Sequence, residues 1–164
     1  AVGPDTRFTA KFICDLHAQW LGSIYAWAGH YRSVELAKGG FRWPPAFRVA
    51  SNMDAFEKET LATCTPAKPD AIANATLGMS RVHADFLLIH PFRDGNGRLA
   101  RWLTALMAAQ AGFPLPEFRL SGKGSAREQA EYLRAVQAGY AANYKPLADF
   151  FAMAIRRRSG EVVT

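Results

Sequence analysis

Between His90 and Arg101 the chain reads His-Pro-Phe-Arg-Asp-Gly-Asn-Gly-Arg-Leu-Ala-Arg. This places a titratable base, a carboxylate, a glycine-asparagine-glycine turn and two arginines in one short segment. An unperturbed imidazole titrates near neutral pH, so His90 is suited to take a proton from a hydroxyl. It precedes Pro91, and a residue before proline is driven out of the right-handed helical region. An upstream helix is therefore expected to end at about His90. Gly95, Asn96 and Gly97 are residue types that adopt positive φ at low cost, and successive N–H groups in such a turn form a nest for an anion. A helix resuming there adds its free N–H groups and positive dipole end. Arg98 and Arg101 share one face of its first turn. Cations there oppose the macrodipole by about 0.3–1 kcal/mol each, a cost that makes sense if an anion sits between them. Two forked guanidiniums above a nest fit a di- or triphosphate. Asp94 beside them could hold a magnesium ion, which takes one or two carboxylates together with substrate phosphates.

Plainer readings account for less. Asp-Gly-Asn-Gly by itself is a surface turn, but that leaves the histidine before it and the arginines after it unexplained. An EF-hand register with Asp94 as third ligand puts Phe92 first and Leu103 twelfth, and neither binds calcium. No Gly-x-x-x-x-Gly-Lys-Ser/Thr loop occurs.

The elements that must position this segment read as mainly helical. Thr9 can cap a helix with the stripe Phe12, Leu16, Trp20 and Ile24, weakened at Gly22 and ended at Gly29. Residues 32 to 50 mix glycines and prolines with aromatics and valines, which predicts a short hairpin or extended loop. Ser51 with Asp54 resembles a start signal for a helix to about Cys64. Thr65 to Pro69 is a break, and Asp70 caps a long helix with the stripe Ile72, Ala75/Thr76, Met79, Val82/His83, Phe86 and Ile89/His90. His83 is assigned a core or supporting role. The helix after the motif carries Leu99, Trp102, Leu103 and Leu106, and is stopped by Gly112 and Pro114. Helices at about 125–140 and 145–158 follow. Trp20, Trp27 and Trp102 are assigned to core packing.

With 164 residues, the chain fits one domain spanning 1–164. A hydrophobic content of 49% excludes a disordered chain. No apolar run is long enough to cross a bilayer and no secretory segment is evident, so neither a membrane nor a signal-directed route is expected. The chain lacks an initiator methionine, which points to processing or excision from a longer protein. Cys14 and Cys64 lack metal spacing and are expected as reduced thiols in a cytoplasmic setting, the protein's own or a cell into which a larger protein is delivered. The net charge of +6 raises nucleic acid as a partner. Part of that charge lies in Arg98, Arg101 and the run Arg156-Arg157-Arg158, read as a solvated tail. No zinc finger or aromatic-basic sheet motif accompanies it, so nucleic acid is not an expected partner.

The motif resembles the signature of the Fic family, His-Pro-Phe-x-Asp/Glu-Gly-Asn-Gly/Lys-Arg-x-x-Arg, at every fixed position. Upstream, Ile24-Tyr25-Ala26-Trp27-Ala28-Gly29-His30-Tyr31-Arg32 resembles the family's Tyr-x-Trp-Ala-Gly-x-x-Arg segment, and Lys38-Gly39-Gly40-Phe41 its flap. The named motifs lie within about residues 9–112. The resemblance implies a helical bundle with a short β-hairpin flap and transfer of AMP from ATP to a Ser, Thr or Tyr hydroxyl of a target protein. By the same resemblance, His90 is the general base and Asp94 binds magnesium. Gly95, Asn96 and Gly97 form the anion hole, with Asn96 at the α-phosphate. Arg98 meets the β-phosphate, Arg101 the γ-phosphate, and Phe92 anchors the loop. Gly97 stands where a phosphorylating branch has lysine. The flap, Glu35 to Trp43, would take a target segment as an added strand, with Lys38, Gly39, Gly40 and Phe41 at the docking edge. No glutamate carries the pattern of the family's inhibitory helix, Ser/Thr-x-x-x-Glu-Gly/Asn. A separate antitoxin-like partner or a removed segment is therefore expected to control Arg101. Two alternatives stay open: a non-enzymatic nucleotide-responsive binding module, and transfer of another phosphate-containing group.

Overall fold

The computed structural model describes residues 2–159. Helix α1 (Ala10–Leu21) starts where Thr9 Oγ1 accepts from the Phe12 amide, the capping bond expected of a threonine in extended backbone. It stops at Gly22, well before Gly29. Its buried face is Ile13, His17 and Leu21, one position out of phase with the expected stripe, and Ile24 is 67% exposed. The flap follows as two short antiparallel strands, β1 (Ala37–Lys38) and β2 (Phe41–Arg42). Gly39 and Gly40 both take positive φ between them, as a tight hairpin turn of matching twist requires.

Helical structure resumes upstream of Ser51. A 3-10 turn (Ala46–Arg48) leads into α2 (Val49–Ala55), a π-helical stretch (Phe56–Leu61) and α3 (Ala62–Cys64). Ser51 Oγ donates to the Arg48 carbonyl and caps nothing. Helix α4 (Ile72–Ile89) is capped at Ala71, not Asp70. The Asp70 carboxylate accepts from the Ala71 amide instead. Helix α5 (Asn96–Gln110) ends in a left-handed Gly112, with the Phe113 amide returning to the Ala108 carbonyl, a glycine-terminated helix end. Helices α6 (Ala126–Tyr140) and α7 (Lys145–Ser159) complete the bundle.

Helix α4 is the hub, packed against α5, α6 and α7. Met79, Val82, Phe86 and Ile89 from α4 share one core with Leu99, Leu103 and Met107 from α5, Tyr132 and Val136 from α6, and Leu147 and Phe151 from α7. Gly139 lets α6 approach closely: a Cβ there would lie 2.5 Å from that of Ala84. The basic tail is not simply solvated. Arg157 donates to both carboxylate oxygens of Glu128 at 2.8 Å, largely out of solvent, pinning α7 to α6. Cys14 and Cys64 are unpaired. Among the described residues no helix is long and apolar enough to cross a membrane.

Candidate active site

The motif loop lies between the two helices that pack most extensively, α4 and α5. His90 caps α4 in left-handed backbone, φ 53° and ψ 60°. Pro91 bars the right-handed alternative, and a non-glycine residue pays for this conformation only where its surroundings hold it. Those surroundings are Arg32. Its buried guanidinium donates from Nε to the His90 carbonyl at 2.8 Å, and from its terminal nitrogens to the carbonyls of Val34, Pro44 and Ile89. Its amide reaches the Pro91 carbonyl at 2.8 Å.

Further along the loop, Asn96 is buried. Its side chain accepts from the Phe92 amide and donates to the Phe92 carbonyl. Asn96 therefore braces the loop through its side chain, and its backbone N–H belongs to the free first turn of α5. Phe92 is fully buried and stacks on His17 with ring centres 3.9 Å apart. His17 Nδ1 accepts from the Gly29 amide, so Nε2 carries the proton and donates to the Asp94 carbonyl at 3.1 Å. The carbonyls of His90, Pro91, Phe92 and Asp94 are thus all held by protein donors. Of the three expected turn residues only Gly95 has positive φ, 84°. Asn96 and Gly97 already belong to α5.

The His90 imidazole is held neutral with one nitrogen engaged. Its ring lies 4.1 Å from that of Trp43. Its Nδ1 is 3.1 Å from the Leu87 carbonyl, which also accepts from Trp43 Nε1. A carbonyl can only accept, so Nδ1 carries the hydrogen and Nε2 keeps its lone pair. Burial pushes the His90 pKa down to about 4, with the Leu87 bond opposing it. Trp43 also locates the flap. Its ring meets Phe41, whose ring meets Tyr140 of α6. Phe41 therefore faces the protein, whereas Lys38, Gly39 and Gly40 are exposed.

Arg98 lies over Trp20, 4.5 Å from the ring centre, and pairs with Asp94 at 3.0 Å. Trp20 in turn meets Trp102, which is 42% exposed and not a core residue. His83 is fully buried and bonded to Thr104 and Tyr132, the supporting role expected of it.

One cavity of about 640 Å³ collects these groups. His90, Asp94, Gly95, Asn96, Gly97, Arg98 and Arg101 form one side, and Lys38, Gly39 and Phe41 of the flap reach its edge. The far wall is Leu120 with Gln129, Tyr132, Leu133, Val136, Gln137 and Tyr140 of α6. Sequence reasoning identified none of this wall, because α6 reads as an ordinary amphipathic helix. His17 and Trp43 were missed as well: His17 lies one position off the apolar stripe read for α1, and Trp43 follows the flap, with nothing in the local sequence to link it to Leu87 or His90.

Residues 7–108 match the model of the Fic/DOC family. The chain is 29% identical over 135 residues to a probable protein adenylyltransferase, y4lH, of Sinorhizobium fredii, covering 81% of this chain and 66% of that protein. It is 30% identical over 150 residues to protein adenylyltransferase Fic of Nematostella vectensis, covering 91% and 33%. It thus spans from a third to just under two thirds of these relatives. Among solved structures it resembles the N-terminal FIC domain of Bep8 from Bartonella sp. 1-1C (TM-score 0.77, 16% identity, 99% of this chain and 80% of that one). It also resembles BepC of Bartonella tribocorum with bound AMPPNP (TM-score 0.72, 23% identity, 93% and 77%). At these identities the structural likeness concerns the fold.

Proposed function

Because this chain belongs to the Fic/DOC family, we propose that it is a protein adenylyltransferase, moving AMP from magnesium-ATP to a Ser, Thr or Tyr hydroxyl of a target protein laid along the flap. One observation carries this reading: a histidine with a free Nε2 lone pair lines the same cavity as the first turn of α5 and both arginines. The names of the relatives and the AMPPNP and ADP bound in neighbouring structures support it.

The step balances on this chain's groups. The target oxygen attacks the α-phosphorus and its proton passes to His90 Nε2. A new P–O bond forms as the bond to the β-phosphate oxygen breaks, and pyrophosphate leaves. Its charge is met by the free N–H groups of α5 and by Arg98 and Arg101. Arg98 must leave Asp94, and an exposed pair of this kind holds it by only about 0–1 kcal/mol.

Asp94 is suited to magnesium. It is an accessible carboxylate, its side chain 64% exposed, at the cavity edge. Among the described residues no cluster of three or more His, Cys, Asp or Glu forms a protein-only metal cage. That matches an ion sharing its coordination with phosphates. When bound, magnesium would neutralise charge on the phosphates. Arg101 has no carboxylate partner among the described ion pairs. An antitoxin-like partner would inhibit by supplying one.

The test is incubation with magnesium and ATP labelled at the α-phosphate, alongside candidate targets, followed by mass spectrometry for added AMP. Covalent α-label on protein is the expected result. Label moving only from the γ-phosphate would mean kinase-like transfer. Tight ATP binding with no transfer to any hydroxyl would leave a nucleotide-responsive binding module.

A further inference from the structure

His17 sits beneath the motif loop, and the transfer step does not use it. Its imidazole is fully buried on α1 and does not line the cavity. Each ring nitrogen meets a backbone group whose role is fixed. Nδ1 lies 2.8 Å from the Gly29 amide, which can only donate. Nε2 lies 3.1 Å from the carbonyl of Asp94, 77 positions away, which can only accept. Both contacts require the same neutral tautomer, with hydrogen on Nε2. The Asp94–Gly95 peptide is trans, so its C=O and N–H point to opposite sides. With the carbonyl turned down onto His17, the Gly95 N–H points away from the core, on the side where Gly95 lines the cavity. Among the described residues no protein acceptor takes that N–H. Gly95 is left-handed (φ 84°, ψ -8°) and Asn96 begins α5, the change of hand that makes successive N–H groups converge on an anion. A Cβ added to Gly95 would come 3.4 Å from His17 Nε2, so the imidazole lies directly under the turn.

We infer that His17 is a positioning residue: by holding the Asp94 carbonyl inward, it fixes the Asp94–Gly95 peptide with its N–H presented to phosphate in the cavity. The stack on Phe92, with ring centres 3.9 Å apart and planes 5° from parallel, sets where Nε2 points. A peptide beside a glycine is free to flip when nothing holds it, because glycine accepts either sign of φ. Flipping would put a carbonyl oxygen where the donor stood, and that oxygen would repel phosphate. A donor fixed before the ligand arrives needs no reorganisation to meet its charge. This role rests on the nucleotide reading of the cavity. It adds that the anion hole depends on α1, a helix outside the motif.

His17→Phe keeps an aromatic ring against Phe92 and deletes the donor. His17→Gln deletes the ring and returns an amide N–H near the place of Nε2. Calorimetry with magnesium-ATP, on the whole chain and well below each melting temperature, should show affinity about tenfold weaker for His17→Phe, the scale of one hydrogen bond to a charged group, and within about threefold of wild type for His17→Gln. Amide NMR gives a second readout. The Gly95 N–H signal should move on adding magnesium-ATP in wild type and His17→Gln, and stay close to its free position in His17→Phe. ATP affinity unchanged in His17→Phe, or equally weakened in both variants, overturns the role of His17 while leaving the nucleotide reading standing. Wild-type protein that binds no ATP overturns both. Should the variants fold poorly, the wild-type protein decides the matter. Hydrogen on His17 Nε2 in long-range nitrogen-15 NMR and a shifted Gly95 amide at saturating ATP are expected; hydrogen on Nδ1, or an unmoved amide, overturns the role.

Discussion

The guanidinium of Arg32 donates to the backbone carbonyl of His90 at 2.8 Å, across 58 positions of sequence. Arg32 is buried, with no acidic ion-pair partner among the described residues, and carbonyls from the flap base and the end of α4 surround it. It therefore ties the flap to the motif loop and holds His90 in left-handed backbone. Arg32→Met should cost about 2–4 kcal/mol, because several buried carbonyls lose a charged donor together. Arg32→Lys, which keeps charge without the fork, should lower kcat more than it raises KM for ATP. Urea denaturation and steady-state label transfer check the two effects, and unchanged values in both would remove Arg32 from the site.

On the proposed reading, His90→Ala removes the base and leaves the phosphate cradle. Transfer should fall by about 100-fold or more with ATP affinity within a few-fold of wild type. Retained full activity would show that another group takes the proton.

Gly95→Ala tests the loop backbone. The added Cβ would lie 2.8 Å from a Trp20 ring carbon, at a φ of 84° that L-residues avoid. The conformation alone costs about 1–2 kcal/mol, and Trp20 must move from beneath Arg98. A lower melting temperature with weaker ATP binding is expected. An unchanged melting temperature would mean that the loop has room the geometry denies.

Three histidines make the fold acid-sensitive. Burial pushes His83 down to about 3 and His90 to about 4, and lowers His17 from its ordinary value of 6.5. The unfolded chain takes up these protons first, so folding stability present above about pH 6.5 is lost as pH falls toward 4 and then 3. Each group contributes a slope of up to about 1.4 kcal/mol per pH unit within its window. Urea midpoints at pH 7 and pH 5 should differ, with the lower value at pH 5 and a smaller difference in His17→Phe.

The long helices were legible because their apolar spacing and breakers are local: α4, α5, α6 and α7 lie close to where the pattern placed them. The end of α4 at His90 and the glycine stop after α5 were legible for the same reason. Boundaries set by competition between neighbouring signals were not. α1 ends at Gly22, and α2 begins before Ser51. The buried face of α1 was misread by one position because Phe12, Leu16 and Trp20 are apolar yet only half buried, while the polar His17 is fully buried.

What the sequence by itself determined is the chemistry on offer: an imidazole before a proline, a glycine turn opening a helix, and paired arginines on its first turn. Those features depend on residues close in the chain, whose backbone preferences act without outside help. Tertiary structure alone decided which atoms are free to react. Asn96 faces its own loop, Arg98 is shared between Asp94 and Trp20, and His90 keeps one lone pair because the Leu87 carbonyl holds its other nitrogen. The Trp20 ring beneath Arg98 and the Trp43 indole on the Leu87 carbonyl arrive from distant segments, and contacts of that kind exist only once packing has brought the segments together.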